Sequence, residues 1–242
     1  MSSIQIALSH GRLTRQTLLI DADDTLWENN IYFERAIASF ISYLDHRIHT
    51  PEEVREHLNL CERDTIVAHG YGLQSFQRSL VSCFKQLTDY PVTPALNARI
   101  FSFTEAIALN EIELLPAVDA TLSQLHEYHR LILVTKGNTG EQTDKLERSG
   151  LRPLFSAVEV LAEKNPAAYR DVALRYNCDP TSTWMIGNSP KSDINPALAA
   201  GLNAVFIPHD FTWVLEHESI DRPTAGLRLL ELGAFAELLR YF

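Results

Sequence analysis

From residue 114 onward the chain repeats one pattern: a short run that is apolar at almost every position, a small polar loop, then a stretch with helical spacing. Such runs stand at 131–135, 157–161, 183–187 and 204–208, and Leu18-Leu19-Ile20 forms another near the start. A strand with one wet face alternates polar and apolar residues, so runs this continuous read as strands covered on both faces. Helical stretches at 141–149, 167–176 and 195–200 separate them, with Gly150 and Gly201 as C-terminal stops. The alternation predicts crossover helices and an α/β fold, a doubly wound parallel sheet.

The region 29–113 breaks this rhythm, because its apolar spacing is helical and it offers no convincing strand. Thr50-Pro51-Glu52-Glu53 has the order of a capping box with proline at the first helical position, and Thr93-Pro94 opens another helix in the same way. Leu73, Phe76, Leu80, Phe84 and Leu87 fall three or four apart and mark one inward face. The expected organisation is a core of 1–28 and 114–242 carrying an all-helical insertion, 29–113.

With 242 residues, 45% of them hydrophobic, the chain has enough apolar surface to fold without covalent staples. Cys61, Cys83 and Cys178 are odd in number and form no C-x-x-C pair, which suits a reducing compartment. Residues 1–15 lack the apolar region of a signal peptide, and no run of about 18 apolar residues occurs, so a cytoplasmic location away from membranes is expected. A net charge of -10 argues against nucleic acid, which needs a basic surface, but not against a small phosphorylated ligand held by local cations. Monomer and homodimer remain equally open.

Ligands of open parallel sheets bind beyond the carboxyl ends of the strands, so the residues delivered there matter most. The first strand runs into Asp21-Ala22-Asp23-Asp24-Thr25, where two residues at period two place two carboxylates together. This reads either as a catalytic or metal-binding pair or as an acidic turn. The next strand end supplies Thr135-Lys136-Gly137-Asn138, a set of donors suited to phosphate or to an ordinary turn. Lys164 precedes a proline-started helix, where a solvated lysine is also usual. The last loop, Gly187-Asn188-Ser189-Pro190-Lys191-Ser192-Asp193, offers oxygen donors of the kind magnesium takes.

Taken in order, Asp-x-Asp-x-Thr, Thr, Lys and Asn/Asp resemble the four motifs of the haloacid dehalogenase-like hydrolase superfamily, over nearly the whole chain. A helical block between the first two motifs resembles its C1-cap branch. The resemblance implies Asp21 as nucleophile, Asp23 as general acid-base, Thr135 and Lys164 as catalytic holders of the phosphoryl group, and Mg2+ bound near Asp21, Asp23, Asn188 and Asp193. Asp23 points to the phosphatases, since the family's dehalogenases lack that carboxylate. The expected activity is hydrolysis of a sugar phosphate, nucleoside monophosphate or phospho-acid through an aspartyl-phosphate. Lys136, Trp27 and Asn30 are further expected substrate contacts, the last two in the stretch that leads toward the cap. Asn188 departs from the usual Gly-Asp and keeps a weak or inactive phosphometabolite-binding paralogue in view. A phosphoacceptor signalling domain is the rival from another class. His46, His49, His126 and His129 lack a third ligand and read as surface residues.

Overall fold

The computed structural model describes residues 12–44 and 48–242, so His46 lies outside the described residues. The described residues divide into two compact units. One contains the chain to Glu28, Ile112–Lys136 and Gln142–Phe242; the other contains Asn29–Glu111 with Gly137–Glu141.

The first unit is built on six strands: β1 (Thr17–Ile20), β2 (Arg130–Lys136), β3 (Ala157–Leu161), β4 (Thr183–Gly187), β5 (Asn203–Phe206) and β6 (Leu229–Glu231). They lie in the order β3-β2-β1-β4-β5-β6, and every pairing is parallel. The order reverses at β1, the position where open α/β sheets form their ligand crevice. The sixth strand, short and only half-buried, has no counterpart in the sequence reading.

The second unit is helical: α1 (Asn30–Tyr43), α2 (Pro51–His69), α3 (Leu73–Leu87), α4 (Pro94–Ser102) and α5 (Glu105–Leu109). Thr50 accepts from the Glu53 N–H at 3.2 Å and Glu53 accepts from the Thr50 N–H at 2.9 Å, so the capping box forms. Phe76, Leu80 and Phe84 of α3 pack with Ile37 and Phe40 of α1, Val54 and Leu58 of α2 and Ile100 of α4. The start of α3 has no side-chain cap of its own; Glu141 supplies one by accepting the Leu73 N–H. Gly72 is needed there, since it sits at φ 120° and a Cβ would stand 2.9 Å from the Glu141 carboxylate.

Four helices belong to the strand-helix repeat: α6 (Val118–Tyr128), α7 (Thr139–Arg148), α8 (Pro166–Arg175) and α9 (Asn195–Ala199). One sheet face carries Leu18, Ile20, Leu131, Leu133, Trp184 and Ile186 under Leu122, Leu125 and Leu146. The other carries Leu19, Ile132, Val134 and Met185 under Tyr169 and Val172. Double coverage is why these strands tolerate no polar alternation. No helix among the described residues is long and apolar enough to cross a membrane.

His129 is not a surface residue. It is buried, its Nδ1 accepts the Gln16 N–H at 3.2 Å, and its ring meets Phe242 edge-on with centroids 5.8 Å apart. Burial also pulls its pKa below the usual histidine value. His126 is exposed and His49 half-buried.

Candidate active site

Asp21 continues β1 by one residue, its N–H donating to the Ile186 carbonyl of β4 at 2.9 Å. That bond fixes the carboxylate at the switch point of the sheet. One oxygen, Oδ1, takes a hydrogen bond from Lys164 Nζ; the other, Oδ2, lies 3.1 Å from Thr25 Oγ1. Lys164 also donates to Asp193 Oδ1 at 2.7 Å, and Asp193 Oδ2 accepts the Ser189 N–H at 3.0 Å. All three charged groups are buried, Asp193 and the lysine head most deeply. Lys164, on the loop ahead of α8, is therefore no solvated lysine but the cation of a buried triad. Such a triad is tolerated only while the charges stay paired, because removal of one leaves another desolvated without compensation.

The loop after β4 makes this possible through one glycine. A Cβ on Gly187 would stand 2.2 Å from Asp193 Oδ2, so only glycine lets that carboxylate fold back against the strand. A π-helical turn at Pro190–Ile194 then sets Asp193 facing Lys164.

Burial, followed by repulsion from Asp193, pushes Asp21 up to about 7 even though Lys164 pulls it down. Burial acts to raise Asp23 too, but Lys145, Gln142 and Trp27 win and hold it below the usual carboxylate range. Lys145 Nζ and Trp27 Nε1 donate to Asp23 Oδ1 at 2.9 and 2.8 Å, and Gln142 Nε2 donates to Oδ2 at 2.7 Å. Two neighbouring carboxylates thus sit in environments that drive them in opposite directions, a mark of acid-base sites.

The donor set suits a hard cation. Thr25 Oγ1 lies 3.1 Å from Asp21 Oδ2 and 3.2 Å from Asn188 Oδ1, so the three side-chain oxygens cluster. Asn188 Nδ2 donates to Thr212 Oγ1 at 3.0 Å, which fixes the amide with its oxygen toward Asp21. Positive charge beside Asp21 would offset the burial and repulsion that raise its pKa. Both oxygens of Asp193 are already engaged by Lys164 and Ser189, which makes it the lysine's partner first.

Other expected site residues are placed differently. Thr135 is buried in β2, two residues beyond Leu133, the register partner of Ile20, and so stands level with the Asp21 turn. Lys136 Nζ donates to Glu216 at 2.6 Å and Ser192 Oγ at 2.9 Å, so its charge is paired within the protein. Trp27 is fully buried in the sheet core and touches Asp23 through its indole N–H, which leaves it no surface for substrate. Asn30 is buried at the start of α1, with Nδ2 3.5 Å from Glu34 Oε1.

Gln142, Lys145, Thr212 and Glu216 were missed from sequence. Gln142 and Lys145 had a readable signal, being three apart on the helix that follows the Thr135 strand end; Glu216 ends a three-residue 3-10 turn, Val214–Glu216, too short to carry a pattern, and gave none. Asp24, Glu28 and His209 also converge, their ligand atoms lying within 4.8 Å of one another. His209 Nδ1, however, accepts the Phe211 N–H, which puts the ring proton on Nε2, 3.3 Å from Glu28. That nitrogen then has no lone pair for a metal, and in this tautomer the ring is neutral and simply lies beside the two carboxylates.

Comparison with known proteins bears on the family and the fold. A family model described as haloacid dehalogenase-like hydrolase matches residues 16–201. The glyceraldehyde 3-phosphate phosphatase of Methanothermobacter thermautotrophicus is 32% identical over 103 residues, 40% of this chain and 46% of that protein. Human N-acylneuraminate-9-phosphatase is 31% identical over 101 residues, 40% of this chain and 41% of that protein. The matched stretch thus spans less than half the length of either curated relative. A haloacid dehalogenase-like family hydrolase from Xanthomonas campestris superposes with a TM-score of 0.77 at 28% identity, covering 94% of this chain and 93% of that one. The HAD-hydrolase YfnB from Bacillus subtilis, bound to magnesium, shares the fold with a TM-score of 0.64 at 20% identity, over 94% and 98% of the two chains. With the family model covering well over half of its length, the chain belongs to the haloacid dehalogenase-like hydrolase family.

Proposed function

We propose that this protein is a magnesium-dependent phosphatase of small phosphorylated metabolites, acting through an aspartyl-phosphate. The observation that carries the reading is the separation of the two carboxylates: Asp21 shares a lysine with Asp193, while two residues on Asp23 has its own three donors. A nucleophile and an acid-base need that independence. A phosphate bound beside Asp23 raises the proton affinity of its carboxyl, so Asp23 enters the first step protonated; an Asp21 oxygen then attacks phosphorus and the ester oxygen leaves with the Asp23 proton. Water then attacks the phosphorus of the aspartyl-phosphate, giving its proton to Asp23, and inorganic phosphate departs with Asp21 restored.

Lys164 holds the nucleophile in place and offsets charge beside it, and Thr135 has the position of a phosphoryl-oxygen donor. Asp21 and Asn188 side-chain oxygens, with the Asp23 main-chain carbonyl, would hold Mg2+, and the bound ion would neutralise charge between nucleophile and phosphoryl group. Both curated relatives named above are phosphatases of small phosphorylated molecules, which supports the substrate class. On this reading the insertion 29–113 is a C1-type cap that selects the leaving group, and the protein works in the cytoplasm on sugar phosphates, nucleoside monophosphates or phospho-acids.

The test is a screen of phosphorylated metabolites for phosphate release with and without magnesium, with Asp21→Asn as control. Release that depends on magnesium and on Asp21 is expected; equal release by both proteins contradicts the reading. Asn188→Asp should lower the magnesium concentration for half-maximal rate, because a second charged ligand binds the ion more tightly. An unchanged requirement removes Asn188 from the metal shell.

A further inference from the structure

Asp23 is held more completely than a residue that only gives and takes a proton requires. Its Oδ1 accepts from Trp27 Nε1 at 2.8 Å and Lys145 Nζ at 2.9 Å, and its Oδ2 accepts from Gln142 Nε2 at 2.7 Å. Donors on both oxygens fix the plane of the carboxylate as well as its position. Gln142 and Lys145 stand three apart on α7, so both side chains leave the helix on one face. Gln142 moreover keeps its Oε1 buried with no hydrogen-bond partner among the described residues. A buried amide oxygen left unpaired is unfavourable, so the amide is oriented for what its Nε2 reaches, Asp23 and, at 3.4 Å, the Lys136 carbonyl. The turn carrying Asp23 is itself constrained, with Asp24 at φ 59° and its N–H bonded to the Trp27 carbonyl at 2.8 Å.

We infer that Gln142 and Lys145 are positioning residues that hold the Asp23 carboxylate in the single orientation from which it serves the leaving-group oxygen. This rests on the phosphatase reading above. The two residues act through Asp23, to which both donate. Their effect must therefore depend on how much the leaving group needs a proton. p-Nitrophenolate leaves without one, whereas an alkoxide does not.

The experiment compares p-nitrophenyl phosphate with 2-glycerophosphate for wild type, Lys145→Met, Gln142→Leu and Lys145→Arg. For Lys145→Met and Gln142→Leu, kcat on 2-glycerophosphate should fall at least about tenfold further than kcat on p-nitrophenyl phosphate, with KM changed by less than about threefold. Lys145→Arg, which keeps a charged donor, should recover most of the difference. Equal losses on both esters, or none, overturn the inference. A second readout needs no turnover: crystal structures of Lys145→Met and Gln142→Leu should show the Asp23 carboxylate turned away from its wild-type place, and an unchanged rotamer in both overturns the positioning role. If wild type releases phosphate from neither ester and from no metabolite of the screen, the phosphatase reading fails, and the rotamer comparison still decides whether these side chains hold Asp23.

Discussion

Asp21 in the α/β unit and Glu62 on α2 of the helical unit are both buried carboxylates, and burial pushes each up to about 7. Their surroundings have little in common. Asp21 meets a lysine, a threonine hydroxyl and a second carboxylate held by the same lysine. Glu62 has one oxygen, Oε2, buried with no hydrogen-bond partner among the described residues, and the nearby Arg55 is committed to Glu34 through two hydrogen bonds at 2.6 and 2.8 Å. A perturbed carboxylate alone therefore marks burial. Convergent partners of opposite charge, each itself fixed, mark a place where chemistry can be done.

The contrast is broken or sharpened most strongly by turnover. Asp21→Asn should lower phosphate release by at least about a thousandfold, whereas Glu62→Gln should leave it within about twofold, measured on the best substrate of the screen. A large loss from Glu62→Gln would erase the distinction. Next in size is the cation of each group. Lys164→Met strands Asp21 and Asp193 and should cost about 3–5 kcal/mol in urea unfolding. Arg55→Met breaks a part-buried bidentate pair and should cost less, about 1.5 kcal/mol.

A third comparison uses pH. The folded state raises the Glu62 pKa from 4.5 to about 7, so it binds a proton more tightly than the unfolded chain does. Its neutral form is favourable below about pH 4.5, and stability is lost as pH rises from there to about 7. Glu62→Gln removes that loss and should gain up to about 3 kcal/mol at pH 8, with no gain at pH 4, read from denaturation midpoints. An equal gain at both pH values would point to packing instead of charge. The smallest effect belongs to Thr50→Ala, which removes the capping box of α2 for about 1 kcal/mol and should leave turnover untouched.

What could be read from sequence follows the range of the forces involved. Leu131, Ile132, Leu133 and Val134 are apolar in succession because both sheet faces are covered, and that requirement is written within four residues. The capping box at Thr50 is equally local. The motif residues Asp21, Lys164 and Asp193 were legible as a family pattern, but their triad is a product of packing: Lys164 and Asp21 are 143 positions apart. His129 was misread for the same reason, since its partners Gln16 and Phe242 come from opposite ends of the chain. Trp27 and Lys136 each carried a side chain suited to substrate, and tertiary contacts claimed both, one for Asp23 and one for Glu216. The strand β6 escaped because three half-buried residues at a sheet edge carry too little pattern.

The central claim is that Asp21 takes the phosphoryl group. Rapid quenching of the enzyme in mid-turnover, followed by mass spectrometry of its peptides, tests it directly. The account predicts a phosphoryl adduct on Asp21 that accumulates and decays with turnover and is absent from Asp21→Asn. An adduct on another residue, or full turnover with no covalent intermediate, would contradict it.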